Sequence, residues 1–349
     1  MVGRLGVLRE GDGEKVEERI TLSHGSGGRK MMDLLEEVVF PALGGGSPWS
    51  AEDAALLEFP SGRLALTTDS FVVQPPFFPG GDIGKLAVCG TVNDLAMRGA
   101  RPLYLTLGLI LEEGLPQETL RRVLCSAAEW ARKAGVIIVA GDTKVVGRGQ
   151  ADGLYINTAG VGLVGEGLEV SISRAEPGDL LLINGFVGDH EVAVLSCREG
   201  LELKVQVESD CAPVSPLVEA MLAAGGVHAL RDPTRGGLAA VLSEMAVASR
   251  VSLEIWEDRI PVREEVRAVC EVLGLDPLLM ANEGKVVAAV HPGRADRVLE
   301  AMRSHPLGRE AAVIGQVREG RPGEVVLVTT LGSRRLLRMP SGEQFPRIC

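Results

Sequence analysis

The sequence predicts a two-domain chain of mixed α/β or α+β class. Three observations carry that reading. At 349 residues and 46% hydrophobic, the chain exceeds what one core comfortably supports. Helical apolar spacings alternate with β-branched runs along both halves. A run of turn formers, Ala175-Glu176-Pro177-Gly178-Asp179, separates the two.

The clearest helix covers 117–135, where Leu120, Val123, Leu124, Ala127, Ala128 and Ala131 recur at helical spacing and Gly135 stops the run. The run 136–140 reads as a buried strand ending at Gly141, which places Asp142 at a strand end. Leu154 to Val164 reads as a second long strand. Beyond the boundary the pattern gives a strand at 180–183, a glycine turn at 185–188 and a helix beyond His190. Further helices fall near 214–224, 237–249 and 262–273, with strands at 285–290 and 324–329. After Thr330 the chain turns polar and is expected to be loose; residues 331–349 would span about 60 Å if extended. The expected organisation is a mobile extension over 1–19, an N-terminal domain over 20–170, a C-terminal domain over 171–330, and a flexible tail over 331–349 carrying Cys349.

A net charge of -11 argues against general affinity for nucleic acid or anionic membrane, both of which need clustered Lys and Arg. The six cysteines, at 89, 125, 197, 211, 270 and 349, include no Cys-x-x-Cys pair, so they read as reduced thiols in a cytoplasmic protein. No stretch reaches the length of a membrane span, and the first residues do not read as a signal peptide.

Two nucleotide motifs fail in context. Gly80 to Lys85 looks like a P-loop, but Pro79 stands where its first Gly belongs and Leu86 replaces the Ser or Thr. Gly160, Gly162 and Gly165 match a dinucleotide fingerprint, yet the strand-like 169–172 follows where a helix is required. What survives is a set of aspartates among small, turn-forming residues: Asp53, Asp69, Asp94, Asp142 and Asp232. Each alone reads equally as a turn former or helix cap, Asp232 most of all because a helix opens just after it. Converging carboxylates repel one another unless a cation sits among them, and magnesium is the hard cation that carboxylates and triphosphate share. Gly25, Gly27 and Gly28, beside His24 and Lys30, and the turn at 80–84 with Lys85, read either as phosphate cradles or as a hinge and a plain turn. Glu283, at the mouth of a predicted strand, reads either as a solvated turn residue or as a candidate general base. His190, His228, His291 and His305 read as surface or structural histidines, and no histidine pair has metal-ligand spacing.

Ser23 to Gly28, Thr68 to Val73, Phe78 to Ala87, Gly141 to Lys144, Asp232 to Gly237, Asn282 to Lys285 and the closing Pro346-Arg347-Ile348-Cys349 together resemble the HypE family, the carbamoyl dehydratases of NiFe-hydrogenase maturation. The resemblance runs from about residue 20 to 349. It implies the aminoimidazole ribonucleotide synthetase-like fold shared with selenophosphate synthetase and thiamine monophosphate kinase. In that fold N-terminal strands pair across a homodimer into a barrel, beside a C-terminal α+β domain. It further implies ATP and Mg2+ between the domains near the subunit interface. Asp53, Asp94 and Asp232 match magnesium carboxylates, and Asp69 and Asp142 match accompanying site aspartates. Lys85, Asn93, Thr143 and Thr234 match phosphate-side or adenine-side contacts.

The chemistry implied is ATP-dependent dehydration of an S-carbamoyl group on Cys349 to S-cyanide, with Glu283 as proton acceptor and Lys144 assisting. A HypF-like carbamoyltransferase would load the thiol, and an iron-carrying HypC/HypD-like scaffold would take the cyanide. The alternative is a sister synthetase or kinase acting on a free metabolite, which would not need the tail. A selenophosphate synthetase needs Cys or selenocysteine in the N-terminal glycine loop, whereas the first cysteine here is Cys89. A non-enzymatic scaffold would not need the aspartates.

Overall fold

The computed structural model describes residues 19–25, 29–44, 60–198, 205–338 and 348–349. Near the N-terminus, short helices α1 (Arg29–Leu34) and α2 (Phe40–Ala42) flank a π turn over Leu35–Val39. Strand β1 (Arg63–Phe71), a small ribbon of β2 (Phe77–Phe78) and β3 (Gly81–Asp82), helix α3 (Ile83–Met97), β4 (Ala100–Glu112), α4 (Gln117–Ala134), β5 (Ile137–Val146) and β6 (Leu154–Val164) follow. The long strands form a four-stranded sheet in the order β1-β6-β4-β5, antiparallel except for the β4/β5 pair.

Helices α3 and α4 cover one face of this sheet. Helix α4 buries Leu120, Val123, Leu124, Ala127 and Ala131 of the stripe read from the sequence, leaves Ala128 half-buried, and ends at Gly135 in the left-handed conformation. Helix α3 is buried almost all round because it touches the sheet, α4 and the C-terminal half at once.

The second half holds β7 (Leu180–Ile183), α5 (Asp189–Leu195), α6 (Ser215–Ala224), β8 (Val227–Arg231), α7 (Gly237–Ser249), β9 (Ser252–Trp256), α8 (Glu264–Leu273), β10 (Val287–Val290), α9 (Pro292–Ser304), β11 (Ala312–Arg318), β12 (Val325–Val328) and β13 (Arg334–Leu336). Its seven strands run in the order β13-β12-β9-β11-β7-β10-β8. Helix α7 packs on one face, where Leu181, Ile183, Val287 and Ala289 meet Leu238, Val241 and Leu242. Helices α6 and α9 pack on the other, where Leu182, Ala288 and Val290 meet Leu217, Met221 and Val298. Cover on both faces is why β10 is a continuous buried apolar run with no alternation.

Four expectations change. Strand β5 continues through Val146, so Asp142 stands in mid-strand; the glycine that looked like a terminator lies instead where its α-hydrogens face the Leu107 carbonyl at the space a side chain would fill. Residues Glu169–Ser171 are not a strand, and Ile172–Arg174 form a 3-10 turn. Asp232 does not cap α7, whose N-cap is Gly236 with no side-chain bond. The stretch after Thr330 is not wholly loose, since β13 extends the larger sheet and Ile348 and Cys349 are buried.

Candidate active site at the junction of the two sheets

Alternation along β1 sends Thr67 and Asp69 to the face covered by α3, where Thr67 Oγ1 donates to Asp94 Oδ2 at 2.8 Å. From the other half, the antiparallel pairing of Arg231 with Val287 makes Asp232 leave the sheet at the end where 283–286 enter it. Asn282 ties the two loops together: its backbone N–H and its side-chain amide both donate to the Pro233 carbonyl, at 3.1 and 2.9 Å. Burial raises the carboxyls of Asp69 and Asp94. Burial, followed by the Asp94 charge, pushes Asp232 to about 7.

Glu283 is 3% exposed. Burial raises it well above the usual carboxylate range, and Cys211, Asp210, Asp232 and Asp69 add to the shift. Its backbone is clamped by Asp210, which accepts from the N–H of Glu283 at 3.0 Å and of Gly284 at 3.2 Å, and pairs with Lys285 Nζ at 2.8 Å. Burial opposes the Asp210 charge, yet Lys285 and the Glu283 N–H hold this carboxyl below its ordinary value. Only glycine allows this approach, because a Cβ at 284 would stand 1.9 Å from the Asp210 carbonyl oxygen.

Cys349 lies in this cluster, 8% exposed. Its main-chain oxygen accepts from the Val72 N–H at 3.2 Å. Its thiol is pushed up to about 12, first by burial and then by the Glu283 charge, while Arg235 opposes through its charge and a hydrogen bond. Arg235 stands 4.0 Å from Asp69 Oδ1. The structure therefore brings Cys349, Glu283, Asp69, Asp94 and Asp232 together. The carboxylates form a buried, hard-oxygen set that repels itself, and the Arg231 Nε beside them is a buried nitrogen with no hydrogen-bond partner. A cation and an anionic ligand fit that imbalance. Among the described residues, no group of three or more His, Cys, Asp or Glu side chains is placed to hold a metal ion.

Asp142, Thr143 and Lys144 lie elsewhere, on β5 at the opposite edge of the four-stranded sheet from Asp69. Three strand spacings, about 14 Å, separate the two edges. Lys144 Nζ pairs with the exposed Asp142 at 3.1 Å, and Thr143 is buried. Gly25 packs against Val145 of the same strand. Asp53, Gly27 and Gly28 fall outside the described residues.

The remaining contacts expected to be phosphate-side or adenine-side have structural partners. Lys85 Nζ donates to the Gly80 carbonyl at 2.7 Å and lies 4.1 Å from the centre of the Trp130 ring, whose other cation is Lys133 at 4.0 Å. The N-terminus of α3, read as a possible phosphate cradle, is capped by Asp82, which accepts from the N–H groups of Gly84 and Lys85. Asn93 bridges the halves, donating to the carbonyls of Ala212 and Glu283 and accepting from the Val214 N–H. Thr234 sits in the turn that begins at Asp232 and leads into α7.

Sequence reasoning missed Asp210, His190 and the role of Arg235. Arg235 lies inside the Asp232 to Gly237 motif. Asp210 has only the flanking Ser209 and Cys211 to mark it, and His190 lies between Asp189 and Glu191, so neither carried an apolar pattern that signals burial.

Comparison with known proteins agrees with this architecture. Family models described as the AIR synthase related protein N-terminal and C-terminal domains match residues 51–164 and 176–328. A carbamoyl dehydratase HypE of Azotobacter vinelandii is 52% identical over 331 residues, 95% of this chain and 97% of the relative. This chain belongs to the HypE carbamoyl dehydratase family. A crystal structure of the hydrogenase maturation protein HypE in complex with ATP superposes with a TM-score of 0.90 at 48% identity, covering 94% of this chain and 99% of that one. A HypE chain from a HypE-HypF complex superposes with a TM-score of 0.77 at 51% identity, over 79% of this chain and 90% of that one.

Proposed function

We propose that this HypE-family chain dehydrates an S-carbamoyl group on its own Cys349 to S-cyanide at the expense of ATP, supplying the cyanide ligands of NiFe-hydrogenase iron. The observation that carries the reading is the burial of the Cys349 sulfur beside Glu283 in a cluster of carboxylates with raised proton affinity.

A carbamoyl oxygen is a poor leaving group until it is phosphorylated. The carbonyl oxygen attacks the γ-phosphorus of ATP, the bond to ADP breaks, and one N–H proton passes to Glu283. The second N–H proton then passes to the departing phosphate as the C–O bond breaks, which releases hydrogen phosphate and leaves S–C≡N. In its ionised form Glu283 suits the task, because a carboxylate of raised proton affinity accepts from an amide more readily than an exposed one. Its rigid backbone, fixed by Asp210 and Asn93, holds it at the sulfur. Asp94 and Asp232, with Asp53, would hold Mg2+, whose charge would offset that of the phosphoryl oxygens.

The outer face of the four-stranded sheet supports a homodimer. Leu64, Leu66, Ile110 and Ile137 are exposed there, Leu66 by 75%. An open apolar sheet face of this kind calls for a cover. A second sheet closing over it into a barrel would carry the partner's β5 edge toward this chain's junction, which brings Asp142, Thr143 and Lys144 to bear where one chain alone leaves them about 14 Å away. Carbamoyl loading by a HypF-like transferase and cyanide transfer to an iron-carrying HypC/HypD-like scaffold complete the sequence. The HypE-HypF complex supports the first of these.

The test is the intact mass of the protein after incubation with carbamoyl phosphate, ATP and its transferase. The wild type should gain a carbamoyl group and then lose one water, while Cys349→Ala should gain nothing. ATP turnover that persists unchanged in Cys349→Ala would favour a sister enzyme acting on a free metabolite.

A further inference from the structure

His190 is fully buried at the start of α5 and makes two hydrogen bonds with its ring. Nε2 lies 2.9 Å from the carbonyl oxygen of Ile348, and Nδ1 lies 2.8 Å from Ser209 Oγ. A carbonyl only accepts, so Nε2 carries the proton and Nδ1 accepts from the Ser209 hydroxyl. Ser209 Oγ in turn accepts from the Cys211 N–H at 3.1 Å. Every member of this relay is satisfied, which fixes the imidazole in one tautomer and orientation. Phe78 packs edge-on to the ring at 5.4 Å between centroids. Ile348, 5% exposed, joins the hydrophobic cluster that includes Val192 and Leu195 of α5. The Val72 N–H takes the next main-chain oxygen along.

We propose that His190, seated by Ser209 and working with the Val72 N–H, forms a receptor for the closing Ile348–Cys349 segment, with His190 as the positioning residue that holds the cysteine at Glu283. The receptor reads main chain through two hydrogen bonds and one apolar side chain, so it binds the segment whatever group the sulfur carries. Burial lowers the proton affinity of the His190 ring, with the Asp210 charge and the Ile348 hydrogen bond opposing and Lys85 assisting. The inference deepens the function proposed above, since it concerns how the carrier sulfur reaches its site.

The test uses the full chain without nucleotide or transferase. Iodoacetamide modification of Cys349 is followed by the mass of its peptide, with the exposed Cys125 and Cys197 as internal references. His190→Ala should speed modification of Cys349 by about tenfold, the loss of one hydrogen bond to a buried acceptor. His190→Gln retains an N–H near the Nε2 position and should stay close to wild type. Equal rates for wild type and His190→Ala, or a Gln variant as fast as Ala, would overturn the receptor.

Should His190→Ala fail to fold, imidazole nitrogen NMR of the wild-type chain decides. A neutral Nε2–H tautomer at neutral pH is expected, and an Nδ1–H tautomer, which cannot donate to the Ile348 carbonyl, would overturn the proposal. A chain whose thiol is protected as expected but which never dehydrates its carbamoyl group would support the receptor and sink the functional reading.

Discussion

The two edges of the four-stranded sheet carry similar residues in opposite surroundings. On β1, Asp69 lies under α3 against the second half, within a cluster that raises Asp94, Asp232 and Glu283 as well. On β5, Asp142 is paired with Lys144 and both side chains are more than half exposed. The difference teaches that aspartates in near-identical turn-like contexts acquire chemistry from what covers them. At the junction, a second domain removes water and leaves charge uncompensated. At the β5 edge no described residue does so, and only the homodimer proposed above would bring a second copy to the pair.

Mixing variants should break or confirm that contrast most sharply. Glu283→Gln and Lys144→Ala homodimers should each lose most dehydration activity, Glu283→Gln by about a thousandfold, in line with removal of an acid-base group. If the partner's β5 serves this chain's junction, exchanged mixtures should recover about a quarter of wild-type activity, because half the dimers then carry one intact site of two. No recovery in single-turnover assays of the mixture would place Lys144 and Glu283 on the same subunit's site.

A smaller effect sharpens the electrostatic half of the comparison. Asp232 is raised to about 7 by burial and then by Asp94, so the folded chain keeps a proton that the unfolded chain loses near the ordinary carboxylate value. Its contribution to stability is complete below that value and is lost as pH rises through about 7. Magnesium competes with this proton. The rise in melting temperature that magnesium confers should therefore grow between about pH 6 and 8 and disappear in Asp232→Asn. An equal magnesium shift at both pH values would remove Asp232 from the cation site.

The smallest effect concerns the N-terminus of α3. Asp82 accepts from two backbone N–H groups there and from Ser126 Oγ at 2.6 Å. Asp82→Ala should cost about 1 kcal/mol in denaturant unfolding and leave nucleotide binding intact. Lost ATP binding at unchanged stability would return Gly80 to Lys85 to a phosphate role.

Periodic elements were legible in the sequence. The stripe of α4 and the apolar runs of β7 and β10 appear where spacing places them, because burial on a helix face or between two layers writes a pattern into composition. The length of β5 was not legible, since Gly141 and Asp142 look like a turn to any local rule and are carried through by pairing with Leu107 and Gly108. Asp94, Asp232, Glu283 and Cys349 stood out by motif. Asp210 and His190 did not, because the contacts that place them, with Glu283 and Ile348, span 73 and 158 residues, and a contact made only in three dimensions leaves no local trace. Asp53 and the glycines at 27 and 28 lie outside the described residues.

Trp130 offers a practical consequence. Its ring lies between the ammonium groups of Lys85 and Lys133, whereas Trp256 is stacked on Arg259 in the other half. The chain thus carries an intrinsic fluorophore whose emission responds to the charge and position of one lysine, and rapid-mixing optics can follow events near that lysine without attaching a dye.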